Sequence, residues 1–432
     1  MSPAMTEKSE IVGDLRARGL VHQSTDEAEL TRHLEQTRKL YAGFDPTRDS
    51  LTIGNLVSLL LLRRFQLFGH KPYVIMGGGT GLIGDPSGKD AERSLQSPEQ
   101  VRANIEGQRR IFERVLDFSG ASGAELIDNG DWLGRVGYLE MLRDVGKHFS
   151  VNMMIQKDSV KARLEGRDQG ISYTEFSYMI LQAYDYAHLA KQEGVTLQVG
   201  GSDQWGNIVA GIELTRKRHQ LEVYGLTTPL VTKSDGGKFG KTESGAVWLT
   251  KDRTSAYDFY QFWLNMADQD VSRFLPIFSL RKLTEVQELL ADQARSPASR
   301  IAHKFLAAEL TELLHGSEAR LAAEHTTEAL FSGNVGKLSQ AAIEDAFGAA
   351  PKFELTLAEL EGPGLSLVEL LVRVEAASSK REARTFLESG AVLLNGEKAK
   401  PDATLLRAGL LHDRYVLLRR GKKNWHIGQI RE

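Results

Sequence analysis

Two groups of residues in this 432-residue chain have the types and spacing for phosphate chemistry. The first is Gly43-Phe44-Asp45-Pro46-Thr47 followed by Leu51-Thr52-Ile53-Gly54-Asn55-Leu56. It reads as a strand end, a turn and a helix that begins at Thr52 to Asn55. Unpaired N–H groups and the dipole at a helix N-terminus attract anions. Gly54 lets a flat ring approach the backbone closely, while Thr52 and Asn55 add neutral donors. By itself, Thr-Ile-Gly-Asn is more often only a helix cap. The second group is Lys233-Ser234-Asp235-Gly236-Gly237-Lys238-Phe239-Gly240-Lys241-Thr242. Its three lysines in a glycine-rich loop suit transient contact with a polyphosphate, though by itself such a loop is more often a solvated surface turn.

A third group sits on one predicted helix, Thr174 to Ala187. Tyr178, Gln182 and Asp185 are spaced by four and three residues and therefore share a face. A polar stripe on an otherwise apolar helix requires partners, a ligand or water. Two glycine motifs, by contrast, fail on mechanics. Gly79-Thr80-Gly81-Leu82-Ile83-Gly84 fits GxGxxG but runs on into Asp85-Pro86-Ser87-Gly88, whereas a dinucleotide fingerprint must open a helix. Gly84 to Lys89 is one residue short of a phosphate loop, and Asp90 stands where Ser or Thr should hold magnesium. What survives is a glycine-rich loop at a strand's C-terminal end, where α/β sheets bind ligands.

The elements that must position these groups alternate. Lys39 to Phe44, Pro72 to Met76, Glu125 to Ile127 and Thr196 to Val199 read as strands. Gly54 to Phe68 and a segment opening at Ser97-Pro98-Glu99 read as helices. Such alternation predicts a parallel sheet with helices on both faces. Strand signals vanish between Ser255 and Phe347, where helical patterns such as Arg300 to Leu314 and Ser317 to Phe331 follow one another. Pro351 to Pro363 reads as a connector. Beyond it come two short helices, Ser366 to Val374 and Ser379 to Ser389, and strands around the turn Asn395-Gly396. The expected domains are 1–245, 246–348 and 365–432, with 349–364 as linker.

Composition narrows the class. With 41% hydrophobic and 26% charged residues the chain is expected to be globular and soluble. The apolar run Leu59 to Leu62 stops at Arg63, far short of a membrane span. The polar start, MSPAMTEKSE, lacks the apolar core of a secretory signal. Zero cysteines exclude disulfides, thiolate zinc sites and a thiol nucleophile, so a cytoplasmic protein is expected. The net charge is -3, yet from Ser366 onward 13 Lys/Arg face 8 Asp/Glu. A basic tail on an acidic body fits an acidic partner such as nucleic acid, or a solvated surface.

Taken together, the first two groups resemble the HIGH and KMSKS signatures of class I aminoacyl-tRNA synthetases. Along essentially its whole length the chain resembles the bacterial-type tyrosyl-tRNA synthetases. The matching stretches are YAGFDPT (41–47), GGTGLIGDPSGK (78–89), VGKHFSVN (145–152), SYTEFSYMILQAYD (172–185), QVGGSDQWGN (198–207) and KFGKTESG (238–245). SKREAR (379–384) through AVLLNG (391–396) is similar to an RNA-binding module shared with a small-subunit ribosomal protein. The resemblance implies a Rossmann-like α/β catalytic domain, an all-helical anticodon-side domain and a small α+β RNA-binding domain. It implies a homodimer with its interface at about 129–167, no membrane association, and tRNA(Tyr), L-tyrosine and ATP as partners. Magnesium would arrive with ATP as co-substrate, without a protein-bound metal.

Residue by residue, the resemblance assigns Tyr41 and Asp185 to the substrate's phenolic hydroxyl. Tyr178, Gln182 and Asp85 go to its α-amino group, Gln198 and Gln204 to the pocket lining, and Asn129 lies nearby. Gly43, Asp45, Gly54, Asp203, Lys233 and Lys241 fall on the ATP side, with Asp203 at the ribose. Thr47, Thr52, Asn55, Lys238 and Lys241 would stabilise the departing phosphates by positioning and fixed charge. Lys89 and Arg93 would face the tRNA acceptor end or a loop. A site built to bond a hydroxyl rejects the substrate lacking it; tyrosyl-tRNA synthetases are themselves the reference case, rejecting phenylalanine by about 10⁵ without editing. One departure stands out: Thr52 and Asn55 replace both histidines of HIGH, a variant similar to that of tryptophanyl enzymes. The alternative reading is therefore a catalytically degenerate, synthetase-like RNA-binding protein.

Overall fold

Six strands form the central sheet: β1 (Gln23–Ser24), β2 (Lys39–Phe44), β3 (Lys71–Met76), β4 (Glu125–Asp128), β5 (Val195–Gly201) and β6 (Tyr224–Thr228). The computed structural model describes residues 8–87, 95–157, 160–161, 164, 170–234, 236–237, 239–242 (241 and 242 as backbone), 245–348, 350–421 and 424–431. The strand order is β1-β6-β5-β2-β3-β4. All neighbours are parallel except β1 against β6. Four strands fall where the sequence places them. β1 has two residues, and β6 (Tyr-Gly-Leu-Thr-Thr) lacks an apolar run, so neither announced itself. β3 is buried along nearly its whole length, as expected where helices cover both faces.

The connections set the location of the site. From β2 the chain passes through the Ile53–Leu67 helix to β3 on one side, while β5 flanks β2 on the other. The sheet order reverses between β2 and β5, and ligands bind at the carboxyl ends of strands at such a point. Tyr41 of β2 pairs there with Gln198 of β5. The Ile53–Leu67 helix buries Ile53, Leu56, Val57 and Leu59 to Leu62. That is more than one stripe, because it is sandwiched rather than lying on a surface. The Pro98–Val115 helix opens as expected, with Pro98 at its first position and Ser97 accepting from the Gln100 N–H at 3.2 Å.

The chain divides into two compact units. The first holds the sheet, up to Thr254, together with Trp263–Leu314; the second comprises Ser255–Phe262 and His315 onward. The helices of the middle region are thus shared between the two. In the second unit a five-stranded sheet contains Val392–Leu394, Glu397–Lys398, Tyr415–Arg420, Asn424–Ile430 and Lys352–Leu355. The last of these corrects the reading of 349–364 as a bare linker. It pairs in parallel with Asn424–Ile430, turning Phe353 and Leu355 inward in a strand too short to show its alternation.

Alternation also explains why this sheet is covered twice. Val416 and Leu418 face the helices Leu367–Arg373 and Lys380–Glu388, packing with Leu370, Leu371 and Leu387. Tyr415 and Leu417 face the other way, packing with Val335, Ile343 and Phe347. The Asn395-Gly396 turn has φ of 49° and 90°, the left-handed pair that a two-residue hairpin requires. Among the described residues no helix is long and apolar enough to cross a membrane.

Candidate active site

The residues gathered near the switch point are organised around a buried carboxyl group. Asp185 lies on the Tyr173–Gln192 helix and is 3% exposed. Asn129 Nδ2 donates to its Oδ2 at 2.8 Å, and Trp132 Nε1 to its Oδ1 at 2.7 Å. Burial raises its pKa to about 8, against the lowering effect of those two bonds and with Asp45 and Asp128 adding to the rise. Asn129 follows β4 and also ties down the glycine loop, accepting from Gly79 N–H at 2.8 Å and donating to Thr80 Oγ1 at 3.0 Å. Thr80 Oγ1 donates to Asp45 Oδ1 at 2.8 Å, and Tyr178 Oη to Asp45 Oδ2 at 3.0 Å. One network therefore links Trp132, Asp185, Asn129, Thr80, Asp45 and Tyr178. The glycines admit it: a Cβ on Gly78 would lie 2.0 Å from Asp128 Oδ1, and one on Gly77 2.3 Å from Asp45 Oδ1.

Among the described residues, three oxygens in this region are buried without a partner: Tyr41 Oη, Gln182 Oε1 and Gln198 Oε1. Each such atom costs about 1–3 kcal/mol when left unpaired. Tyr41 and Gln198 are neighbours on adjacent strands, and Tyr41 packs edge-on against Tyr186 at 5.2 Å. Desolvation, with Asp185 nearby, holds the Tyr41 phenol well above its ordinary pKa, so it is a neutral hydroxyl. On the far side of the helix face, Gln182 Nε2 donates to Gln204 Oε1 at 3.2 Å. Gln204 Nε2 in turn donates to Asp85 Oδ2 at 2.7 Å and Asp203 Oδ2 at 3.3 Å. The stripe of Tyr178, Gln182 and Asp185 is thus a wall of hydrogen-bonding groups: both Asp185 oxygens and the Tyr178 hydroxyl are engaged, and Gln182 Oε1 is left unfilled among the described residues.

The helix end at Thr52–Asn55 and the backbone flanking the lysine loop also meet. Thr52 caps the Ile53–Leu67 helix, where Asn55 Oδ1 accepts from Thr52 N–H at 3.0 Å and Thr52 Oγ1 at 2.9 Å. The bland reading of Thr-Ile-Gly-Asn as a cap is therefore true of its oxygens. Asn55 Nδ2 makes no bond among the described residues. The backbone beyond the lysine loop pairs with this cap: Ile53 N–H donates to Val247 O at 3.0 Å, and Leu249 N–H to Leu51 O at 2.9 Å. Gly240, at φ +79°, packs so tightly on Ile53 that a Cβ would lie 2.5 Å from Ile53 Cγ2. The two lysine-loop and helix-end motifs, nearly 190 residues apart, are brought into contact. Lys233 N–H donates to Gly237 O at 3.0 Å, and Lys241 lies on a short strand, Lys241–Thr242, paired with Gly245–Ala246. Lys238 lies outside the described residues, as do Lys89 and Arg93.

Gly43 and Gly54 differ from the packed glycines. A Cβ on Gly43 would meet nothing within 4 Å, and one on Gly54 only Thr52 Oγ1 at 3.8 Å. Neither has a left-handed φ, so neither backbone nor packing demands glycine, and both leave open space beside the cap. Thr47 sits in a turn held from behind: Gln96, Asn104 and Gln108 donate to the carbonyls of Thr47, Pro46 and Arg48 at 2.8, 2.8 and 2.9 Å. Sequence reasoning missed these three amides, and it missed Trp132 and Thr80. Trp132 had a legible signal, lying three residues after Asn129 at the end of a strand; the amides had none.

Residues 34–332 match the family described as tRNA synthetases class I (W and Y). The chain belongs to this class I synthetase family. A second match, over residues 342–427, is to the SYY-like C-terminal domain of tyrosine–tRNA ligases. Among curated relatives, the synthetase is 49% identical over 422 residues to the tyrosine–tRNA ligase of Dechloromonas aromatica, covering 97% of this chain and 99% of that one. It is 50% identical over 420 residues to that of Pectobacterium carotovorum, covering 96% and 98%. Among solved structures, the C-terminally truncated mitochondrial tyrosyl-tRNA synthetase of Aspergillus nidulans aligns with a TM-score of 0.67 at 30% identity. That match covers 74% of this chain and 94% of the other.

Proposed function

We propose that the pocket between Tyr41 and Asp185 takes the side chain of tyrosine, and that the helix end at Thr52–Asn55 and the lysine loop take the phosphates of ATP. The chain is a tyrosine–tRNA ligase, the activity of the relatives it matches end to end. The tyrosine carboxylate oxygen attacks the α-phosphorus of ATP, forming tyrosyl-adenylate as pyrophosphate leaves. A ribose hydroxyl at the 3′ end of tRNA(Tyr) then attacks the acyl carbon, forming the ester as AMP leaves. The observation that carries the pocket assignment is the set of buried, unfilled acceptors at Tyr41, Gln182 and Gln198 beside a carboxyl held by Asn129 and Trp132. In this reading the phenolic hydroxyl meets Tyr41 and Asp185, and the α-amino group meets Tyr178, Gln182 and Asp85. Gln198 and Gln204 close the wall, and Asp203 takes the ribose.

On the phosphate side, Gly43 and Gly54 leave room for the nucleotide, beside Asp45 and Thr47, and Asn55 Nδ2 supplies a donor in place of histidine. Lys233, Lys238 and Lys241 offset the charge that develops on pyrophosphate, with magnesium carried in by ATP as part of the co-substrate. The chain works in the cytoplasm as a homodimer. Support for the dimer comes from the apolar side chains exposed within 129–167, among them Tyr138 (64%), Leu139 (79%), Val151 (57%) and Met153 (69%), a patch of the kind that marks an interface. Support for tRNA at the second unit comes from a cleft of about 520 Å³ lined by Arg420, Asn424, Trp425, His426 and Tyr257, which offers charge and stacking surfaces together.

The deciding experiment is ATP–pyrophosphate exchange run with tyrosine, tryptophan, phenylalanine and no amino acid. Exchange with tyrosine alone is expected. Exchange equal with all three, or none with tyrosine, would refute the assignment of the pocket.

A further inference from the structure

The lysine loop is fastened to a helix that belongs to neither signature. At one end, Ser234 N–H donates to Asp270 Oδ1 at 2.8 Å, in the first turn of the Asp268–Phe278 helix. At the other, the ring of Phe239 packs against Phe274, Phe278 and Trp263, at centroid distances of 4.7, 5.4 and 6.0 Å. Phe274 and Phe278 lie on that same helix. Ser234 and Phe239 are therefore both fastened to one helix.

The C-terminal end of that element is in turn gripped by buried arginine. Arg64 is 2% exposed and sits near the end of the Ile53–Leu67 helix, the one that begins at Thr52. Its Nη2 donates to Ile277 O at 2.9 Å, Pro276 O at 3.3 Å and Ser279 O. Arg18, 5% exposed, reaches Arg281 O at 2.6 Å and Pro276 O at 3.1 Å. The last carbonyls of a helix lack intrahelical partners, and cations suit that end of the dipole. A capping role alone would be met by water or by an exposed side chain. Burying a guanidinium is costly, and what it adds here is a multi-pronged, planar fit that fixes one helix against another.

We propose that Arg64 is a positioning residue for ATP activation: it sets the Asp268–Phe278 helix against the signature helix and so places the lysine loop opposite Thr52–Asn55. This rests on the reading of Lys238 and Lys241 as phosphate-side groups. The test uses the full chain with Arg64→Lys and Arg64→Met, alone and combined with Phe239→Leu. Tyrosine affinity is measured by equilibrium dialysis and the rate of adenylate formation by rapid quench. Arg64→Lys keeps the charge but cannot span the carbonyls. The expected result is tyrosine affinity near that of the unaltered chain, with the rate lowered about 10–100-fold, the scale of a small misplacement of reacting groups. Adding Phe239→Leu should then cost little more, since both act through one helix. An unchanged rate, or losses that multiply independently, overturns the proposal. If neither Arg64 variant binds tyrosine, Asp270→Ala decides: a selective rate loss supports the proposal and an unchanged rate overturns it. Absence of exchange in the unaltered chain would instead strike the functional reading itself.

Discussion

Replacing Tyr41 by phenylalanine should stabilise the ligand-free protein while weakening its preference for tyrosine. Tyr41 is 1% exposed, and its hydroxyl has no partner among the described residues. An unpaired buried hydroxyl costs about 1–3 kcal/mol, and deleting the oxygen recovers part of that without opening a cavity larger than one atom. At roughly 2–4 °C per kcal/mol for a domain of 150–250 residues, melting should rise by a few degrees. Saturating tyrosine should shrink or reverse the difference, because the substrate's hydroxyl then gives Tyr41 its partner and the variant forgoes that bond. A neutral hydrogen bond contributes about 0.5–1.5 kcal/mol, so the Tyr/Phe ratio of kcat/KM in pyrophosphate exchange should fall about 2–10-fold. Asp185 retains the rest of the discrimination. Thermal melts with and without tyrosine, beside exchange kinetics with both amino acids, check the two halves together. A variant that melts lower than the unaltered chain without ligand and keeps the full Tyr/Phe ratio would show that the hydroxyl is structural, and would refute the reasoning.

Burial lifts the Asp185 carboxyl from its ordinary 3.8 to about 8 in the fold, so between those values the folded state holds the extra proton. Stability should fall as pH rises across that window, by at most ~1.4 kcal/mol per pH unit. Asp185→Asn should remove that loss, and parallel melting curves for the two proteins from pH 5 to 9 would contradict it. Gly43→Ala and Gly54→Ala, which meet open space, should leave melting unchanged or slightly raised while increasing the KM for ATP; an unchanged KM would mean no nucleotide passes there. Gly78→Ala, facing Asp128 at 2.0 Å, should instead lower stability, by roughly 1–3 kcal/mol for overpacking, in a denaturant melt. Lys238→Ala should lower kcat for adenylate formation by about 10²–10³, the scale for one lost transition-state donor, with tyrosine affinity intact by equilibrium dialysis.

Much of this protein was legible in its residues. Short-range physics wrote the strands that carry apolar runs, the caps at Ser97 and Thr52, and the Asn395-Gly396 turn, because each depends on neighbours within a few positions. The shared face of Tyr178, Gln182 and Asp185 followed from helical period alone. Tertiary structure decided what those groups touch. Nothing local says that Asp185 would be held by Asn129 and Trp132, that Tyr178 would bond Asp45, or that Gly240 would pack on Ile53, since these contacts depend on how distant strands are ordered. The same holds for Lys352–Leu355, which is a strand only because Asn424–Ile430 offers it an edge. Residue types and period determined which groups could do chemistry; the sheet's crossover order, which no window of sequence contains, determined which of them stand together.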